Sequence, residues 1–231
     1  RDRSVSRGLG DVYKRQLEEF AFLDSIVDGG VMKKQHIPSP AEVMTQIIQR
    51  VERTQIETVY SDIRLLTDDI ASCYKFLLTK LYDAGCRYVQ FDGVHSVIME
   101  DTIRLNNRVL RERPAGMYVA FHAPTDMLVQ LHGADAYFLN YDCGACDRNR
   151  LLWFIHEKEA VFGFVLSHYP QEDELDELQA KTESVLNYIP LKRFTLCLPD
   201  ANALLSPSEA DEEKQWETVR LGMEMAARIF S

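Results

Sequence analysis

The side chains best placed for chemistry stand in four short stretches of this sequence. In Asp83-Ala-Gly-Cys-Arg-Tyr-Val-Gln-Phe-Asp-Gly93, a helical run stops at Ala84-Gly85, and strand-like residues Tyr88 to Phe91 deliver Asp92 to a strand's C-terminal end. Ligands of parallel α/β proteins bind at that end. Asp92 therefore reads either as an anion facing a ligand or as a cap for the helix that follows. His122 closes another apolar run, Met117-Tyr-Val-Ala-Phe-His122, and His168 follows a third within Ser167-His168-Tyr169-Pro170. Histidine titrates near neutral pH, which suits it to carry a proton or orient a substrate. Cys143-Gly-Ala-Cys146 has C-x-x-C spacing. Two thiolates with the His122 imidazole would make a tetrahedral zinc site with one open position. A loop with two ordinary cysteines is the plainer reading.

The elements that must carry these residues alternate between strand and helix patterns, as in a parallel α/β architecture. Gln35-His36-Ile37 is a short strand ending in Pro38-Ser39-Pro40, read as a rigid loop. Ile63, Leu66, Ile70, Tyr74, Leu77, Leu78 and Leu81 recur at helical spacing over Asp62 to Tyr82, and Gly85 supplies the stop. Further strands are expected at Tyr88 to Asp92, Met117 to His122, Ala136 to Leu139, Val161 to Leu166 and Phe194 to Leu198. Helices are expected around Asp101 to Arg111, Thr125 to His132, Arg148 to His156, Asp173 to Tyr188 and Asp211 to Phe230. The last should bury Trp216, Val219, Met223, Ala226 and Phe230.

Bulk properties bound the function. With 231 residues and 46% hydrophobic content, the chain can build one substantial core. Its formal net charge of −10 gives no footprint for a phosphate backbone, so nucleic acid is not an expected partner. Neither is a membrane: no apolar run approaches the ~20 residues that span one, and the opening residues are too polar for a signal peptide. A cytoplasmic protein is expected. Five cysteines, an odd number, point to reduced thiols rather than a disulfide framework.

Residues 1–16 are expected to stand apart as a disordered segment. Asp11-Val-Tyr-Lys-Arg-Gln16 is what the end of a transposase adapter used for sequencing libraries would encode. Without that segment the chain has 21 basic and 34 acidic side chains, a charge of −13. The expected domain then runs over residues 17–231.

The pattern Leu81-Tyr-x-Ala-Gly-Cys-Arg-Tyr-Val-Gln-hydrophobic-Asp92 resembles the C-terminal catalytic barrel of cobalamin-independent methionine synthases, especially the short single-barrel homologues. The resemblance covers nearly all of Gln35 to Phe230, with further strong blocks at Arg113 to His122 and Tyr137 to Asp142. It implies a (β/α)8 TIM barrel. Six strands rather than eight are legible, so strands three to eight are expected here, with the first two, which carry Gly-Ser and Gly-Glu motifs in the family, missing from a truncated reading frame.

The resemblance also implies chemistry: methyl transfer from a methyl-folate or methyl-corrinoid carrier, the latter with a corrinoid protein as partner, to a thiol such as homocysteine. Asp92 matches the aspartate that holds the substrate amine, and His168 matches the proton donor. Family members activate the thiol with zinc, held by a His-x-Cys pair, a glutamate and a late cysteine. His122 matches that histidine. Pro124 stands at the cysteine position, Asn140 replaces the glutamate, and Leu198-Pro-Asp-Ala-Asn202 lacks the last cysteine. Zinc would need Cys143 and Cys146 as replacement ligands. The competing expectation is a zinc-less pseudoenzyme or small-molecule-binding barrel, with metal-independent barrel chemistry as a third.

Overall fold

A computed structural model describes residues 4–140, 161–165, 173, 175–187 and 189–197, together with 216–217, 219–221, 223–224 and 226–228. The chain divides into two compact units, Arg1–Asp135 and Ala136–Ser231. Their six described strands are parallel wherever they pair, three to a unit, with helices between them, so the α/β expectation holds.

In the first unit, α1 (Ser4–Ile26) precedes β1 (Lys34–Pro38), α2 (Pro40–Arg50), α3 (Arg53–Val59), α4 (Ile63–Asp83), β2 (Tyr88–Asp92), α5 (Glu100–Glu112), β3 (Tyr118–His122) and α6 (Thr125–Leu128). Helix α4 owes its boundaries to its sequence. Asp62 caps the start by accepting from the Arg64 backbone N–H, and Gly85 takes the left-handed φ of 98° just past the end. Leu66, Ile70, Tyr74, Leu77, Leu78 and Leu81 are buried along one stripe, whereas Ile63 at the first turn is exposed. Each fully buried side chain of this size stabilises by roughly 1.5–3 kcal/mol.

That stripe packs against one face of the strands. Val89 and Phe91 of β2 and Val119 and Phe121 of β3 are fully buried, with Phe91 edge-on to Tyr74 at 5.8 Å and 5.5 Å from Phe121. Strand side chains alternate, so Gln90, Asp92, Ala120 and His122 occupy the opposite face. The Tyr74 hydroxyl donates to the Pro38 carbonyl across 2.7 Å, tying α4 to the end of β1. Burial, with Glu42 nearby, holds that phenol well above its usual pKa.

Helix α1 takes in residues 4–16. No proline interrupts the run, and Lys14–Glu18 and Arg15–Glu19 pair at i,i+4 across its middle. Farther along, Phe20 is 1% exposed and anchors the helix in the core. Pro40, read as part of a loop, opens α2. Ser39 is its N-cap, accepting from the Glu42 N–H at 3.0 Å, and Pro40 takes the first helical turn, where a missing N–H does no harm.

The second unit holds β4 (Ala136–Asn140), β5 (Val161–Val165), α7 (Leu175–Leu186), a 3-10 turn at Leu191–Arg193 and β6 (Phe194–Cys197). Tyr137 stacks on Phe162 at 6.0 Å in register. At Gly163 a Cβ would lie 2.2 Å from the Phe138 ring, so only glycine lets these strands approach. The described residues from 216 to 228 are helical as expected, but Trp216 and Met223 are 67% and 66% exposed. They lie seven residues apart on one stripe of that helix. The half-buried stripe is the one carrying Val219 and Ala226. No helix among the described residues is long and apolar enough to cross a membrane.

Candidate functional site

Asp92 and His122 end adjacent parallel strands and stand opposite one another in register, as do Pro38 and Asp92. The pairing brings Asp92 Oδ1 to 3.5 Å from His122 Nδ1, with His122 nearly buried and Asp92 about one-third exposed. A second imidazole joins from β1: His36 Nε2 lies 3.6 Å from Asp92 Oδ2. The carboxylate thus sits between two histidine rings on the face that the α4 stripe leaves uncovered.

Local structure fixes this arrangement. The Ser39 N–H donates to the Asp92 carbonyl at 2.5 Å and the Gly93 N–H to the His122 carbonyl at 2.7 Å, so each loop amide is bonded to the end of the neighbouring strand. The loop leaving Asp92 is then fastened to α2. Ser96 Oγ donates to Glu42 Oε2 at 3.2 Å and approaches Ser39 Oγ at 3.3 Å, and the Val97 N–H donates to Thr45 Oγ1 at 3.0 Å. Asp92 does not cap α5, which begins at Glu100 with Met99 as its N-cap. Its Oδ1 instead meets the Val94 N–H at 3.4 Å, a local turn contact. His95 on this loop is exposed.

Of the sequence candidates, the structure brings Asp92 and His122 together. His168, Cys143 and Cys146 lie outside the described residues. His36, read in the sequence only as part of the strand Gln35-His36-Ile37, joins Asp92 directly. The signal for it was the strand's two-residue period, which puts Lys34, His36 and Pro38 on one face, but the register against β2 had to be seen. Gln90, two residues before Asp92, faces the same way.

Of the zinc ligands that the resemblance implies, His122 is the one position matched among the described residues. His122 presents an imidazole whose Nδ1 faces a carboxylate, the usual orientation of a metal-bound histidine. Pro124, at the cysteine position, has no donor side chain and serves as N-cap of α6. Among the described residues no group of three or more His, Cys, Asp or Glu is placed to hold a metal ion. The described residues therefore do not form a zinc coordination set. What they do offer is an anion flanked by two proton carriers, able to bind and orient a cationic group and to exchange a proton beside it.

No family model matches the sequence. Two curated relatives, the uncharacterized proteins YxjG and YxjH of Bacillus subtilis (strain 168), are each 24% identical over 256 aligned positions covering 93% of this chain. The chain spans 66% of the length of each. Among solved structures, the crystal structure of the "Putative Vitamin-B12 Independent Methionine Synthase" from Listeria monocytogenes superimposes with a TM-score of 0.69 at 26% identity, covering 93% of this chain and 69% of that one. Over nearly its whole length, then, the chain shares its α/β fold with a protein carrying a methionine synthase name.

Proposed function

We propose that this chain is a methionine-synthase-like barrel domain whose site binds an amino acid bearing a thiol, such as homocysteine, for methyl transfer. The observation that carries the reading is the in-register pair of Asp92 and His122 at adjacent strand ends. It occurs in a chain whose fold is shared with the Listeria protein. In this reading the strands are the third to eighth of a (β/α)8 barrel.

Asp92 receives the substrate ammonium. Its carboxylate is ordered by the strand pairing and by the loop clamp on α2, so little is lost in orienting it. His122 and His36 flank the anion and leave it open toward solvent. With a methyl-folate donor, His168 is the acid that protonates the leaving nitrogen; a methyl-corrinoid donor would leave as the reduced corrinoid and need no such proton. Zinc, if held by His122 with Cys143 and Cys146, would supply thiol activation.

Calorimetric titration of the chain with L-homocysteine tests the reading. Asp92→Asn should weaken binding several-fold or more, because hydrogen bonds to charged groups contribute roughly 1.5–3 kcal/mol. Unchanged affinity, with the fold intact, would reduce Asp92 to the turn contact with Val94. The alternative, a barrel that binds the amino acid without transferring methyl, is favoured by one observation: Pro124, at the position where the resemblance implies a cysteine ligand, has no donor side chain. Binding without turnover, with either class of methyl donor, would select it.

A further inference from the structure

Lys34, Gln90 and His36 form a string on the same face as Asp92. Lys34 Nζ donates to Gln90 Oε1 across 2.8 Å, and Gln90 Nε2 stands 3.4 Å from His36 Nε2. The same His36 nitrogen lies 3.6 Å from Asp92 Oδ2. Two neighbours of opposite demand therefore meet one ring atom. An amide N–H requires a lone pair there, and a carboxylate requires a proton.

Lys34 decides between them. Its ammonium is a donor only, so it holds the Gln90 oxygen toward itself and turns the amide nitrogen to His36. Reversing the amide would set an NH2 group against the ammonium and lose a charge-assisted hydrogen bond. Gln90 is 6% exposed, which leaves water little access to compensate. The amide is also the nearer of the two neighbours. A neutral His36 bonded this way carries its proton on Nδ1.

We propose that Lys34, Gln90 and His36 are positioning residues that keep His36 Nε2 unprotonated where it faces Asp92, so that Asp92 Oδ2 remains an acceptor for a ligand's ammonium group. A proton on Nε2 would occupy that oxygen with an imidazole N–H and, in the imidazolium form, offset its charge. Among the described residues, the charged and titratable groups along this string include Lys34 on its own strand, with Tyr88 of β2 beneath its ammonium, Asp92 on β2 and, beyond the carboxylate, His122 on β3. The inference deepens the amino-acid-binding reading above and rests on it for the identity of the ligand. The state of the histidine can be measured without any ligand.

Two-bond 1H–15N correlation spectra of the histidine-labelled chain, with His36 assigned by its loss in His36→Gln, provide the test. In the ligand-free chain the His36 proton should sit on Nδ1. It should move to Nε2 in Lys34→Met, where the amide is free to turn over, and in Gln90→Leu, where the amide is gone. L-Homocysteine affinity should fall about tenfold in either variant, although Lys34 and Gln90 are not the ammonium's own partner. A proton on Nε2 in the unsubstituted chain overturns the proposal, as does a tautomer unmoved in both variants. A tautomer that moves as expected in a chain that never binds homocysteine supports the string and overturns the ligand reading instead.

Discussion

Ser96 Oγ donates to Glu42 Oε2 across 3.2 Å, and through this bond the loop leaving Asp92 is held to the first turn of α2. The clamp is tight at its root. A Cβ on Gly93 would come within 2.6 Å of Ser39 Oγ and 3.0 Å of Ser96 Oγ.

Gly93→Ala should therefore destabilise the chain by about 1–3 kcal/mol, the usual range for overpacking. Ser96→Ala, which removes one clamp bond, should cost about 0.5–1.5 kcal/mol. Urea unfolding midpoints check both. A Gly93→Ala midpoint equal to that of the parent would show that the loop is not held as described.

Leu78 is fully buried in the α4 stripe, while Phe76 two residues before it is 55% exposed. Leu78→Ala should cost about 2–5 kcal/mol, transfer and cavity effects combined. Phe76→Ala should stay within about 0.5 kcal/mol. If denaturant unfolding shows the two substitutions costing the same, the orientation of α4 is wrong.

Alkaline pH should weaken the fold through its tyrosines. Burial, reinforced by a hydrogen bond to Asp69, raises the Tyr60 phenol from 10 to about 12. Burial also raises Tyr118, with the Asp135 charge adding to it. A phenol that holds its proton more firmly when folded contributes fully below the unfolded value. That contribution is lost as pH rises from ~10 through ~12. Urea midpoints should decline across this window, and Tyr60→Phe should decline less steeply. Equal slopes in parent and variant would rule out a role for Tyr60.

Metal content separates enzyme from relic. With Pro124 and Asn140 at two of the ligand positions that the resemblance implies, little zinc should remain after dialysis against a mild chelator, in the parent or in a Cys143→Ser/Cys146→Ser double variant. About one equivalent in the parent that disappears in the double variant would establish a relocated tetrahedral site and strengthen the methyltransferase reading.

Much of the fold was legible because local signals agreed. In α4 the apolar spacing from Asp62 to Tyr82 and the Gly85 stop point to one helix, and the structure bounds it at Ile63 and Asp83, one residue from each end of that spacing. At β2 the strand-like run from Tyr88 to Phe91 placed Asp92 at the strand's end. Helix α2 was missed because Pro38-Ser39-Pro40 was read for what proline forbids, although Ser-Pro is also a helix start. Trp216 and Met223 were misplaced because an amphipathic pattern gives the stripes of a helix but not which one the tertiary structure covers. His36 beside Asp92 was beyond reach for a different reason. Three helices separate β1 from β2, and the register that joins the two strands is set by packing rather than by any local motif.

The loop amides bonded to neighbouring strand ends, Ser39 to the Asp92 carbonyl and Gly93 to the His122 carbonyl, also limit how such a sequence can drift. An inserted residue between Pro38 and Ser39, or between Asp92 and Gly93, would shift a donor past its acceptor and pull on the next strand as well as its own. Beyond Val97, whose N–H makes the last clamp bond to α2, the chain is exposed at Ile98 and Met99. Length variation among descendants of this sequence should accumulate there, a few residues downstream of the carboxylate, while the spacing from Tyr88 to Gly93 stays fixed.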